Sequence, residues 1–281
     1  MGVRIVTDST ADLPAEVREE YGIEMVPLYV HFGDEVFRDQ VDMSPDQFFR
    51  RLTAEKERLP QTSQPSPGDF AEVYRRLAEG GDTIVSIHIS EAMSGTLQSA
   101  RAAREMLQGA DIRLIDSRLV TACLGHVVLD CAQAARDGAS ADEVVELAES
   151  LCSRTNLFGA IDTLEYLERG GRIGRAQALL GSLLNMKPIV TLSDGVVAPA
   201  GRVRGRSRVI PELVRLFGEA VGDRTADITV VYAAQPDGVD ELEQALRATG
   251  RVGRVRRGQI GPVVGTHAGP GVLGVAFTVK E

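Results

Sequence analysis

One of the chain's four histidines, His267, stands in the run GPVVGTHAGPG at residues 261–271. Glycine admits positive φ and close approach of a ligand, while proline fixes φ and removes a donor, so the run reads as a shaped loop. Taken alone it equally suits a tight connection whose imidazole bonds locally. In IHISEAMSGTLQSA (87–100), a buried strand, a short loop and Ser94-Gly95-Thr96 opening a helix would aim free amides and the positive end of a helix dipole at an anion. Ser94 serves there either as a helix cap or as a ligand donor. The stretch lacks the lysine and glycine spacing of a nucleotide phosphate loop. In LPQTSQPSPGDF (59–70), three prolines surround Thr62, Ser63 and Ser66. Ser66 with Asp69 caps the helix that follows, whereas Thr62 has no such local role and is the better ligand candidate. Thr62, Ser94 with the Gly95 amide, and His267 are neutral or conditionally charged donors, and no Lys or Arg adjoins the first two. Such a set suits one carboxylate better than a polyphosphate, with His267 as the third wall of an anion pocket.

The elements that must position these residues alternate in the first half. VRIVT (3–7), MVPLYVHF (25–32), TIVSIHI (83–89) and IRLID (112–116) read as strands, separated by helices starting near Pro14, at Ser44-Pro45 and at Gly95. Strands separated by helices imply right-handed βαβ units, a mainly parallel sheet flanked by helices, and a site at the strands' carboxyl ends. Ser140 and Glu143 form a capping box, and RTNLFGAI then starts a fresh strand, which puts a domain boundary near residue 155. The second half mixes the strands KPIVTL, VVAPAG, ITVVYAA and GVLGVAFTVK with helices beginning near Ser207 and Pro236. A hairpin across SDG predicts antiparallel pairs there. The expected architecture is α/β, with domains 1–155 and 156–281 and a ligand cleft between them.

Composition narrows the function classes. The 281 residues are 43% hydrophobic and 25% charged, as in a globular protein. No apolar run approaches the ~18 residues of a membrane helix, and the N-terminus lacks a signal-peptide layout, so a cytoplasmic protein without an integral membrane segment is expected. Cys123, Cys131 and Cys152 lack metal or redox spacing and read as buried thiols, and no metal site is expected. The net charge of −9 is uneven: residues 157–281 carry 16 Lys and Arg against 13 Asp and Glu, and the rest carries 15 against 27. Arginines concentrate in RGGRIGR (169–175), GRVRGRSR (201–208) and RVGRVRRG (251–258). No aromatics interleave with them, so stacking platforms for nucleic acid are missing. A docking surface for an acidic or phosphorylated protein suits them better, as does ordinary solvation.

In this order and spacing, TDSTADLP, TSQPSPGDF, SGTLQSA, LEYLERGGRIG, KPI and GPVVGTHAGPG resemble the DegV family of bacterial fatty-acid-binding proteins across essentially the whole chain. The resemblance implies a two-domain α/β protein holding a long-chain fatty acid such as palmitate, with its carboxylate at Thr62, Ser94, Gly95 and His267 and its tail in an apolar tunnel. Leu179, Leu180, Leu183 and Leu184 are the first candidates for that tunnel. It further implies a lipid-binding subunit without activity of its own and without cofactor, serving lipid transport or fatty acid metabolism. Its partner would be a fatty acid kinase, docked through Arg169, Arg172, Arg202, Arg204 and Arg206. The competing reading is a phosphotransferase-type enzyme or phosphocarrier using His267. Asp8 and Ser9 match the first motif without a role carried over.

Overall fold

A computed structural model of the chain describes residues 2–55, 59–180, 186–235 and 237–281. Its elements run β1 (Val3–Asp8), α1 (Ala15–Tyr21), β2 (Glu24–Val26), β3 (Tyr29–Phe32), β4 (Glu35–Arg38), α2 (Pro45–Ala54), β5 (Gln61–Ser63), α3 (Pro67–Ala78), β6 (Thr83–His88), α4 (Thr96–Glu105), β7 (Ile112–Asp116), α5 (Ala122–Arg136) and α6 (Ala141–Arg154). They continue through β8 (Thr155–Ala160), α7 (Glu165–Arg169), β9 (Met186–Ser193), β10 (Val196–Arg204), α8 (Val209–Val221), β11 (Ala226–Tyr232), α9 (Val239–Arg247), β12 (Val252–Gln259), α10 (Pro262–Ala268) and β13 (Leu273–Val279). Among the described residues the strands form a four-stranded sheet of order β2-β1-β6-β7, a six-stranded sheet of order β10-β9-β8-β13-β11-β12 and a three-stranded sheet of order β4-β3-β5.

The four-stranded sheet is parallel throughout, as the strand–helix alternation requires. Its apolar runs are explained by burial on both faces. Val6 and Ile84 turn to a cluster with Phe70, Tyr74 and Ala100 of α3 and α4. Ile5, Val85 and Ile87 turn to the opposite cluster, which holds Leu124, Val127 and Val144 of α5 and α6. The six-stranded sheet is antiparallel except for the β11–β12 pair. Helix α5 is buried almost all round because it contacts strands of both sheets. Its His126 bonds Thr278 and Thr229 of the six-stranded sheet at 2.9 and 2.7 Å. Gly125 lets α5 approach the chain after β1, since a Cβ there would stand 2.7 Å from the Ala11 carbonyl oxygen.

Three stretches fold otherwise than their sequence suggests. MVPLYVHF divides between two sheets, because Pro27 lacks the N–H to continue β2 and the chain re-enters the three-stranded sheet at Tyr29. Within the proline-rich stretch, Gln61–Ser63 pair antiparallel with β3 and form a strand, not a loop. GPVVGTHAGPG is helical at its centre: Pro262 occupies the first turn of α10 and Gly269, at φ 78°, ends it. The caps at Ser44, Ser66 and Ser140 are capping boxes as their spacing implies. Cys123 and Cys131 are buried thiols, while Cys152 is half-buried.

Candidate functional site

The parallel sheet changes direction of progression between β1 and β6, and the residues beyond these strands' carboxyl ends form one wall of a crevice. At the end of β1, Asp8 accepts from the Thr10 amide at 3.0 Å and from the Ile89 amide at 2.9 Å, and meets His88 Nδ1 at 3.0 Å. The buried chain continues from His88 Nε2 to Ser86 Oγ (2.7 Å) and on to Tyr74 OH (2.8 Å). These bonds fasten the two loops that border the crevice, and Thr10 reaches its surface.

Thr62 of β5 and His267 of the last turn of α10 lie 205 residues apart, yet Thr62 Oγ1 and His267 Nε2 are 2.9 Å apart. Ser94 stands on the loop between β6 and α4. Gly95, not Ser94, holds the N-cap position, and the Ser94 hydroxyl accepts weakly from the Thr96 amide (3.3 Å) and pairs with the Thr96 hydroxyl (2.8 Å). Among the described residues the Gly95 amide donates to no protein acceptor. Gln64 packs over it, with its Nε2 3.0 Å from where a Gly95 Cβ would stand. Thr62, Ser94, Gly95 and His267 are all half-buried and all but Gly95 line one cavity.

Burial, followed by the Arg172 guanidinium, lowers the pKa of His267 to about 4, so the imidazole is neutral at pH 7. Its Nδ1 is covered and has no hydrogen-bond partner among the described residues. That nitrogen faces Gly170, where a Cβ would stand 2.2 Å away. The glycine in RGGRIG is therefore a clearance for the imidazole. Gly265 does the same on the opposite side of α10, where a Cβ would stand 2.8 Å from Phe48 and Phe49 of α2.

Behind these polar groups the cavity is apolar. With its open mouth included it encloses about 1100 Å³, walled by Leu157, Ile161, Val190, Leu192, Val231 and Val275 among others. Most of this wall belongs to the six-stranded sheet, and Ile89, Val120 and Val263 close it from the other side. Leu179 and Leu180 do not line it: Leu179 packs against a small cluster with Ile161 and Ala176, and Leu180 is exposed. Leu183 and Leu184 lie outside the described residues.

The arginines fall into different settings. Arg172 Nε donates to the Met93 carbonyl (3.2 Å), an Nη donates to the Gly170 carbonyl (2.7 Å), and the side chain borders the cavity mouth. This guanidinium joins the neutral or conditionally charged donors at the mouth. It was hidden because Arg172 and Met93 are 79 residues apart in sequence. Arg169 pairs with Glu165 at 2.9 Å. Arg202 and Arg204 project from the edge strand β10 and Arg206 follows it; all three are exposed and form no ion pair among the described residues. No group of three or more metal-ligating side chains occurs among the described residues, and no helix among them is long and apolar enough to cross a membrane.

Residues 2–280 match the family described as "Uncharacterised protein, DegV family". A DegV domain-containing protein of Streptomyces coelicolor is 41% identical over 281 residues, covering 99% of each chain. A DegV family protein from Thermus thermophilus, whose solved structure is described as showing fatty acid binding, superposes with a TM-score of 0.94 at 36% identity over 100% of both chains. A stearic acid-binding protein from Eubacterium ventriosum superposes with a TM-score of 0.92 at 26% identity, covering 99% of this chain and 98% of that one. On the whole-chain family match and these relatives, the chain belongs to the DegV family.

Proposed function

We propose that this chain binds a long-chain fatty acid in the cleft between a unit of residues 1–155 and one of residues 156–281. The carboxylate is held by Thr62, Ser94, the Gly95 amide and His267, with Arg172 at the mouth, and the tail lies along Leu157, Ile161, Val190 and Leu192. The observation that carries this reading is the Thr62–His267 contact at 2.9 Å, which joins two distant segments at the polar mouth of an apolar cavity. Fatty acid binding by the Thermus and Eubacterium relatives supports it. Burying about 12 methylenes contributes roughly 10 kcal/mol before association costs.

The polar end of such a ligand faces outward, where a partner fatty acid kinase can reach it. One carboxylate oxygen then attacks the γ-phosphorus of ATP held by the partner, ADP leaves, and an acyl phosphate remains on this subunit. Arg202, Arg204 and Arg206 supply a docking surface for that partner, and this chain carries no activity of its own. A phosphohistidine at His267 fits less well: Nδ1 is pressed against Gly170, and Nε2 is engaged by Thr62.

Native mass spectrometry of the chain purified from a bacterial host tests the reading. A bound mass in the range of palmitate or stearate is expected, and uptake of palmitate after delipidation. No lipid mass and no uptake refute it. With ATP and palmitate the chain alone should form no acyl phosphate; a cognate kinase should start the reaction, and substitution of the three arginines by glutamine should suppress it without weakening palmitate binding.

A further inference from the structure

Three of the five non-glycine residues with positive φ converge on one point: Asp12 (φ 52°), Gln40 (φ 60°) and Thr121 (φ 54°). A β-branched residue such as Thr121 seldom adopts this conformation, and strained backbone persists where its surroundings impose it. At that point Asp12 Oδ2 accepts from the Thr121 hydroxyl at 2.7 Å, and Asp12 Oδ1 accepts from the Gly261 amide at 2.9 Å. Gln40 Nε2 donates to the Ser9 carbonyl at 2.7 Å. Gly261 is the N-cap of α10, and a Cβ there would stand 2.8 Å from Asp12 Oδ1 and 3.3 Å from Asp39 Oδ1. Two carboxyl groups thus crowd the start of the helix whose last turn carries His267. Asp39 is fully buried, and among the described residues neither of its oxygens makes a hydrogen bond of ordinary geometry. The Ser9 hydroxyl and the Val263 amide are the dipoles that favour its charged form. A wholly buried, unpartnered carboxyl group is costly to keep, and packing alone would be served by an apolar side chain.

We propose that Asp12 and Asp39 are positioning residues that seat α10, and through it set His267 against Thr62 at the cavity mouth. Asp12 anchors the helix through the Gly261 amide. Asp39, when ionised, draws the first-turn amide of Val263 inward, and when protonated it releases it. Thr121 and Val263, which this cluster touches, themselves line the cavity, so a change here reaches the ligand directly. Burial, with the Asp8 charge, raises the pKa of Asp39 to about 7, and burial with the Asp39 charge raises that of Asp12. The groups facing the pair are Asp8 at the end of β1, Ser9 after it, Gln40 beside Asp39, Thr121 before α5, and the amides of α10; among the described residues no cation opposes them. His267 titrates near pH 4, well below this window.

The ligand-free chain with ¹⁵N-labelled histidine tests the positioning, with His267→Ala identifying the signal. In the wild type the His267 ring resonances should shift with an inflection near pH 7, which Asp39→Asn should abolish; Asp12→Asn, tolerated at positive φ, should displace the resonances at every pH. A flat wild-type profile between pH 6 and 8 overturns the proposal even if no variant folds, and so does an inflection that survives in Asp39→Asn. The consequence for binding rests on the fatty acid reading: affinity for [1-¹³C]palmitate should fall about fivefold from pH 8 to pH 6 in the wild type, and by less in Asp39→Asn. If the wild type binds no palmitate, the fatty acid reading fails, while the ring titration still decides the role of the aspartates.

Discussion

Gly170→Ala offers a selective perturbation of the site. Gly170 has φ −75° and ψ −7°, a conformation alanine adopts freely, so the substitution strains no backbone. Its effect is the added methyl group, which would stand 2.2 Å from His267 Nδ1 and 2.9 Å from both His267 Cε1 and the Tyr166 carbonyl oxygen. Ordinary contact begins near 3.5 Å, so the imidazole must retreat by more than about 1 Å. A displacement of that size cannot preserve the 2.9 Å contact of Nε2 with Thr62, because Nδ1 and Nε2 lie on nearly opposite sides of the ring. A bound carboxylate then loses the placement of the Thr62–His267 pair that faces it in a half-buried place, a loss of about 1.5–3 kcal/mol or roughly 10- to 150-fold in affinity. Isothermal titration of palmitate into the delipidated protein reads this directly. The neighbouring Gly171→Ala is the control: with φ 69° and open space around its Cβ, it strains the backbone without touching the imidazole. It should lower the melting temperature and leave affinity alone. Wild-type affinity in Gly170→Ala would refute the assignment of His267 to the carboxylate.

Thr62→Ala and Ser94→Ala should each weaken palmitate binding by roughly 1–3 kcal/mol with the fold intact, since each removes one hydroxyl donor; titration curves matching the wild type would put the carboxylate elsewhere. Stability should fall as pH rises from 5 to 8, because Asp39, raised to about 7 in the folded state, takes up its proton preferentially there. Its contribution is full below the unfolded value and lost as pH passes 7, about 4 kcal/mol on the whole span. Urea midpoints of the wild type and Asp39→Asn should therefore converge at low pH and separate in favour of the variant at pH 8; equal midpoints at pH 8 would count against a strained carboxylate.

What the sequence made legible follows from the range of the interactions concerned. The parallel sheet shows in apolar runs such as TIVSIHI, and the capping boxes show because their partners are three residues apart. The hairpin across SDG is likewise local, and β9 and β10 pair from Ser193 and Val196 outward. Thr62 stood out by elimination, because Ser66 already had a capping partner nearby. The roles of Gly170 and Arg172 could not be read locally: the first is a clearance for a ring 97 positions away, and the second serves a carbonyl in the other half of the chain. A glycine pair in RGGRIG was visible, but which glycine meets a side chain depends on how α7 lies against α10. Leu179 and Leu180 do not line the cavity: apolarity marks burial without naming the surface it covers. The walls come from β8, β9, β11 and β13, whose apolar residues were already accounted for as strands.

The balance of forces at the mouth explains why its donors are mostly uncharged. A carboxylate leaving water loses several kcal/mol of hydration, which a buried lysine or arginine would recover only by being desolvated itself. Hydroxyls, an unengaged backbone amide and a neutral imidazole carry a smaller desolvation cost when the site is empty; the hydroxyls and the amide donate when it is filled, and the imidazole acts through its contact with Thr62. Arg172 completes the arrangement from the exposed side: solvent keeps its charge inexpensive, yet its nearness already depresses the His267 pKa. A carboxylate placed between them would offset that repulsion and draw the imidazole toward its charged form. On this reading the tail supplies most of the affinity, and the mouth discriminates: an ester or alcohol of equal length would gain the same apolar burial while failing to balance Arg172.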